Sequence, residues 1–91
     1  MKTVVKENAN GGKGQVVVKY ILDDNELNAK CKMFAEVTIA PGCSLGYHEH
    51  HGESESYYII KGQGEYDDNG TKRPVTVGDK TFTPDGCGHG I

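Results

Sequence analysis

Apolar and polar residues alternate along this chain in short runs broken by glycine, proline and Asx residues, which is the rhythm of strands rather than helices. After a polar, glycine-bearing start at Asn8 to Gly14, the run Gln15 to Leu22 is rich in valine and isoleucine and ends at the turn residues Asp23, Asp24 and Asn25. Lys32 to Ile39 is predicted as the next strand, because Met33, Ala35, Val37 and Ile39 alternate at period two with Phe34, Glu36 and Thr38, and it stops at Pro41-Gly42. Ser56 to Lys61 holds four β-formers in a row, Tyr57 to Ile60, and Gly62-Gln63-Gly64 then turns the chain into Glu65 to Asp67. Asn69-Gly70 is a two-residue hairpin signal, and Val75 to Val77 and Thr81 to Thr83 are two more short strands separated by Gly78-Asp79. Only Asp24 to Lys32 has room for a helical turn, and no internal repeat or linker interrupts the pattern. The expected fold class is all-β, a sandwich or barrel of short strands.

At 91 residues and 9.9 kDa the chain has the size of one domain, 1-91, and hydrophobic residues at 35% are enough for a thin core rather than for none. The net charge of -3 comes from 10 basic and 13 acidic residues, and the scattered bases form no stripe for a phosphate backbone, so nucleic acid is not an expected partner. No apolar run reaches the ~20 residues of a membrane span and no signal-peptide order opens the chain, so the reading is a soluble, cytoplasmic protein. Cys31, Cys43 and Cys87 are odd in number and contain no C-x-x-C pair, so reduced thiols are expected rather than a disulfide framework.

The densest chemistry is His48, His50 and His51, followed by Glu53 and Glu55. On a strand, side chains two apart share a face, so His48 and His50 can present two imidazoles to one point while Glu49 and His51 face away. Glu55 lies across Gly52, where the chain can turn and return a carboxylate to them. Imidazole nitrogens with a carboxylate oxygen suit a divalent transition metal (Mn, Fe, Co, Ni, Cu or Zn), and nothing in the spacing selects among these. The bland alternative, an acidic histidine-bearing loop in solvent, is the commoner origin of an isolated H-x-H.

The spacing beyond that loop changes the balance. Gly42 to Gly62 reads G-x5-H-x-H-x4-E-x6-G, and Gly78 to His89 reads G-x5-P-x-G-x2-H. In both segments the chain resembles the cupin family. The resemblance implies a double-stranded β-helix, the small cupin jelly-roll barrel, with one divalent transition metal held by His48, His50, Glu55 and His89; the motif glycines and Pro84 belong to turns. One departure stands out: the family's second motif continues to an Asn four residues after the histidine and to further strands, whereas this sequence stops at Ile91. The expectation is a barrel lacking its last strands, an open sheet edge, and a His89 that frays, unless the natural chain is longer or another subunit supplies a strand.

Three imidazoles and one carboxylate fill four positions of an octahedral metal and leave two for a chelating ligand. The favoured function is therefore a metal-dependent enzyme, of the dioxygenase, decarboxylase, isomerase or lyase type, acting on a small oxygenated metabolite such as a carboxylate, keto acid or sugar-like molecule. The alternative is a non-catalytic ligand- or metal-binding module, and a third reading gives the metal a purely structural role. Tyr47, Tyr57, Tyr58 and Tyr66 are candidate phenols for the interior, though strand tyrosines more often pack with the hydroxyl in water. His51 reads as a surface residue, Cys87 as an inert thiol near the site, and Asp67-Asp68 as a solvated turn. Family resemblance and exposed edges together imply a homodimer.

Overall fold

A computed structural model describes residues 1–91, and the chain is all-β apart from two short helical turns. The residues group into two compact units, Met1–Leu45 and Gly46–Ile91.

In the first unit, β1 (Lys2–Glu7), β2 (Gln15–Tyr20) and β3 (Ala35–Ile39) form an antiparallel sheet in the order β1-β2-β3. Val16 and Val18 point to one face and are buried, and Leu27 joins them among the buried hydrophobic residues. The β1 strand has no alternation to announce it, since Val4 and Val5 are adjacent and flanked by charges; its six residues are fixed by pairing along the whole of β2. The strand expected from Lys32 begins only at Ala35, and Phe34 is exposed while its carbonyl accepts hydrogen bonds from the Ile21 and Leu22 amides. The single helical turn α1 (Asp24–Leu27) forms where the sequence has room for one. Its start is locked by a reciprocal cap in which Asp23 Oδ1 accepts from the Glu26 amide at 2.8 Å and Glu26 Oε1 from the Asp23 amide at 3.1 Å.

In the second unit, β4 (His48–Glu49), β6 (Gln63–Asp68), β7 (Thr71–Thr76) and β9 (Gly88–Gly90) form a sheet in the order β4-β9-β6-β7. A second pair joins β5 (Glu55–Tyr58) to β8 (Lys80–Thr83). Asn69 and Gly70 connect β6 to β7 with φ of 51° and 96°, the doubly left-handed turn that the Asn-Gly signal calls for. Pro74 sits within β7, at the sheet edge, where a missing amide proton costs no ladder bond.

The expectation that His89 frays is corrected. His89 is fully buried and paired on both sides, opposite His48 on β4 and Asp68 on β6. The glycines beside it make this possible: a Cβ on Gly88 would fall 2.4 Å from the Tyr47 hydroxyl, and one on Gly90 3.0 Å from the Tyr47 backbone nitrogen. Bare backbone lets β9 slip between its neighbours beneath the Tyr47 ring.

Candidate metal centre

Three strands and one register deliver the site. His48 opens β4, His89 lies opposite it on β9, and His50 follows β4, tied to β9's approach by backbone bonds from its amide to the Cys87 carbonyl and from the Gly86 amide to its own carbonyl. Gly52, at φ 82°, turns the chain, and Asp85 Oδ1 holds that turn by accepting from the Gly52 amide at 2.7 Å. Glu55 then begins β5. The β5–β8 pair has two distinct faces: Glu55, Tyr57, Thr81 and Thr83 point to the partly or fully buried one, and Ser56, Tyr58, Lys80 and Phe82 to the exposed one.

His48, His50, Glu55 and His89 offer ligand atoms that all lie within 4.8 Å of one another. His89 Nε2 is the hub, 3.0 Å from His50 Nε2, 3.2 Å from His48 Nε2 and 2.8 Å from Glu55 Oε1, and Glu55 Oε1 is 3.2 Å from His50 Nε2. Donor atoms about 2.1 Å from a common centre and at right angles to one another lie about 3 Å apart, so these are the edge lengths of a metal's coordination polyhedron.

The tautomers point the same way. His48 Nδ1 lies 2.8 Å from the Gly46 carbonyl and His50 Nδ1 3.1 Å from Glu53 Oε1. Neither of those oxygens carries a hydrogen, so each Nδ1 donates, and in the neutral ring each Nε2 then keeps its lone pair. Lone pairs and a carboxylate oxygen crowded at about 3 Å repel unless a shared proton or a metal cation lies among them. The donor set therefore fits a divalent transition metal, and the four side chains can hold one.

Comparison with known proteins places this arrangement in a family. Residues 35–91 match the Cupin domain family. The chain is a cupin. It is 42% identical over 84 residues to a protein of Thermotoga maritima named an oxalate-binding protein, an alignment covering 92% of this chain and 69% of that one. A crystal structure from Thermotoga maritima, described as a predicted oxalate decarboxylase, superposes with a TM-score of 0.94 at 38% identity, covering 99% of this chain and 78% of that one. The fold is accordingly the cupin jelly roll, as the two motifs imply.

Around the four side chains this cupin has a polar wall that the motifs did not announce. Burial pushes the Glu55 carboxyl up, but a hydrogen bond from His89 and the charges of His89, His50 and His48 outweigh it and hold the group below the usual carboxylate range. Glu55 is therefore an ionised donor at neutral pH. Tyr57 stacks on the His89 ring at 4.9 Å, with its hydroxyl 3.4 Å from His89 Nε2. Burial, with the Glu55 carboxylate and Tyr66 adding to it, drives the Tyr57 phenol far above its ordinary value.

Tyr66 is fully buried, and its hydroxyl lies 2.8 Å from His89 Nδ1 and 2.7 Å from Thr83 Oγ1. The expectation that strand tyrosines place their hydroxyl in water thus fails at Tyr66 and holds at the exposed Tyr58. His51 faces away, as expected, with Nε2 3.6 Å from Glu49 Oε1 at the surface. Cys31, Cys43 and Cys87 are free thiols. Thr83 was missed, and Glu53, though part of the histidine-rich run, had no role assigned; only the β5–β8 register and the return of the chain after Gly52 bring them in.

Proposed function

We propose that this cupin holds one divalent transition metal on His48, His50, Glu55 and His89, and that the metal captures a small carboxylate of the oxalate class. The observation that carries this reading is the convergence of the four donor atoms, with the His48 and His50 lone pairs already aimed inward. Three neutral imidazoles and one carboxylate leave a divalent ion with a net charge of about +1 and two unfilled octahedral positions. An anion with two oxygens in one plane satisfies both. The named relative supports the choice of oxalate, since that protein is called oxalate-binding.

When bound, the metal supplies Lewis acidity toward a chelated oxygen. The chain's own residues do the rest. Gly46 and Glu53 fix two ring orientations, Glu55 supplies the one anionic donor, and Tyr57 keeps its phenolic proton as a hydrogen-bond donor at the rim of the ligand atoms. The name of the curated relative, an oxalate-binding protein, favours binding without turnover.

A second reading, decarboxylation, is favoured by the description of the solved relative. There the carbon–carbon bond of oxalate monoanion breaks, carbon dioxide leaves, and the proton ends on the carbon of formate. Calorimetric titration of oxalate into metal-loaded and chelator-treated protein separates these possibilities. Saturable, metal-dependent binding without formate is the expected result. Formate release would select the second reading, and binding indifferent to metal would overturn both.

We further propose, as part of the same reading, that residues 1-91 act as one domain and that the protein pairs as a homodimer in the cytoplasm.

A further inference from the structure

Three histidines meet at the centre, and each Nδ1 has a different partner: a backbone carbonyl for His48, a carboxylate for His50, and a pair of hydroxyls for His89. The first two partners can only accept, so those tautomers are fixed. His89 is different, because Tyr66 and Thr83 can each donate or accept, and because Glu55 Oε1 stands 2.8 Å from His89 Nε2. A proton on Nδ1 leaves Nε2 free to bind a metal. A proton on Nε2, drawn by Glu55, abolishes the ligand and occupies a second one. His89 is thus the one histidine whose ligand form is contested.

We propose that the buried Tyr66–Thr83 hydroxyl pair is a positioning device that settles this contest by accepting the His89 Nδ1 proton, and so sets how tightly the centre retains its metal. The inference rests on the metal-binding reading above. Tyr66, Thr83 and His89 are all buried, so no bulk water replaces a lost partner. His89 Nδ1 lies 2.8 Å from Tyr66 Oη and 2.9 Å from Thr83 Oγ1, and the two hydroxyls are 2.7 Å from each other. The Nδ1 proton is therefore shared between two acceptors that are themselves joined, and one hydroxyl can cover for the other. Thr83 stands directly opposite Glu55 in the β5–β8 register, so one residue pair carries both sides of the contest on the same face. The Arg73 guanidinium lies 5.3 Å from the centroid of the Tyr66 ring, within reach of a cation–π contact on the phenol that carries the hydroxyl.

The redundancy gives the device a signature in affinity that a merely structural role lacks. Tyr66→Phe, Thr83→Val, the double variant and Thr83→Ser are titrated as metal-free proteins with cobalt(II), following the visible absorption, with thermal melting of each beside it. Each single removal leaves an acceptor, and a loss of a few-fold is expected; the double removal leaves none, and a loss of about 10- to 100-fold is expected, exceeding the product of the singles. The double variant's cobalt spectrum shifts as one imidazole drops out, and Thr83→Ser restores the parent value. Should the double variant not fold, Thr83→Val against Thr83→Ser decides: weaker binding in the first and parent-like binding in the second is the expected pair. A folded double variant, or failing that Thr83→Val, that binds cobalt as the parent does would overturn the inference alone. A parent protein that binds no cobalt would overturn the metal reading and the inference together.

Discussion

At the level of single residues, the centre owes its form to proton placement as much as to ligand identity. His48 and His50 point lone pairs inward because oxygens without hydrogens hold their outer nitrogens. The four candidate ligands can be named from the sequence, because H-x-H with Glu55 and His89 at set spacings is a pattern that chance rarely produces, and the structure brings their donor atoms within 4.8 Å of one another. The surrounding hydroxyls were not legible. Threonine and tyrosine are ordinary strand residues, and only three-dimensional register distinguishes Thr83 and Tyr66 from Thr38 or Tyr58. Tyr57 gives a pH-dependent test. Its folded value is raised, so the folded protein retains a proton that the unfolded chain releases near pH ~10, and stability falls as pH rises beyond that point. Denaturant unfolding at about pH 9 and about pH 11 should therefore show a larger loss for the parent than for Tyr57→Phe. Equal losses would place the phenol in water.

Among the elements, sequence pattern succeeded where strands have one buried face. Gln15–Tyr20, with Val16 and Val18 inward, is such a strand, and Asn69-Gly70 fixes the β6–β7 hairpin by backbone conformation alone. It failed where pairing rather than side chains defines the strand. β4 and β9 have two and three residues, and glycines flank His89, so neither has measurable strand propensity. They exist through pairing: β9 lies between β4 and β6, with its glycines close against Tyr47. Helix α1 lies at the other extreme, a four-residue turn with both capping hydrogen bonds present. Asp23→Ala removes the side-chain acceptor of the Glu26 amide while the bond from the residue-23 amide to Glu26 stays, and should cost about 1 kcal/mol in unfolding free energy. All four candidate ligands lie in Gly46–Ile91, so the metal affinity of this variant should match the parent's. A change in affinity without a change in stability would show that the cap serves the site instead.

For the whole molecule, the cupin fold does not itself select a reaction, and the chemistry lies in the side chains of the centre, a polar, partly buried group with a few fixed donors. No helix is long and apolar enough to cross a membrane. On the exposed face of the β5–β8 pair, Tyr58 and Phe82 remain 67% and 56% accessible, and the proposed homodimer would cover them if it paired through this face. Light scattering at micromolar concentration should return twice the chain mass, and a mass of 9.9 kDa would contradict pairing.

The most direct measurement is the metal content of untagged protein equilibrated with divalent first-row metals and then dialysed into metal-free buffer, beside a His48→Ala/His50→Ala variant. About one metal per chain in the parent and none in the variant is the expected result. An empty parent, or equal metal in both proteins, would contradict a centre built on His48, His50, Glu55 and His89.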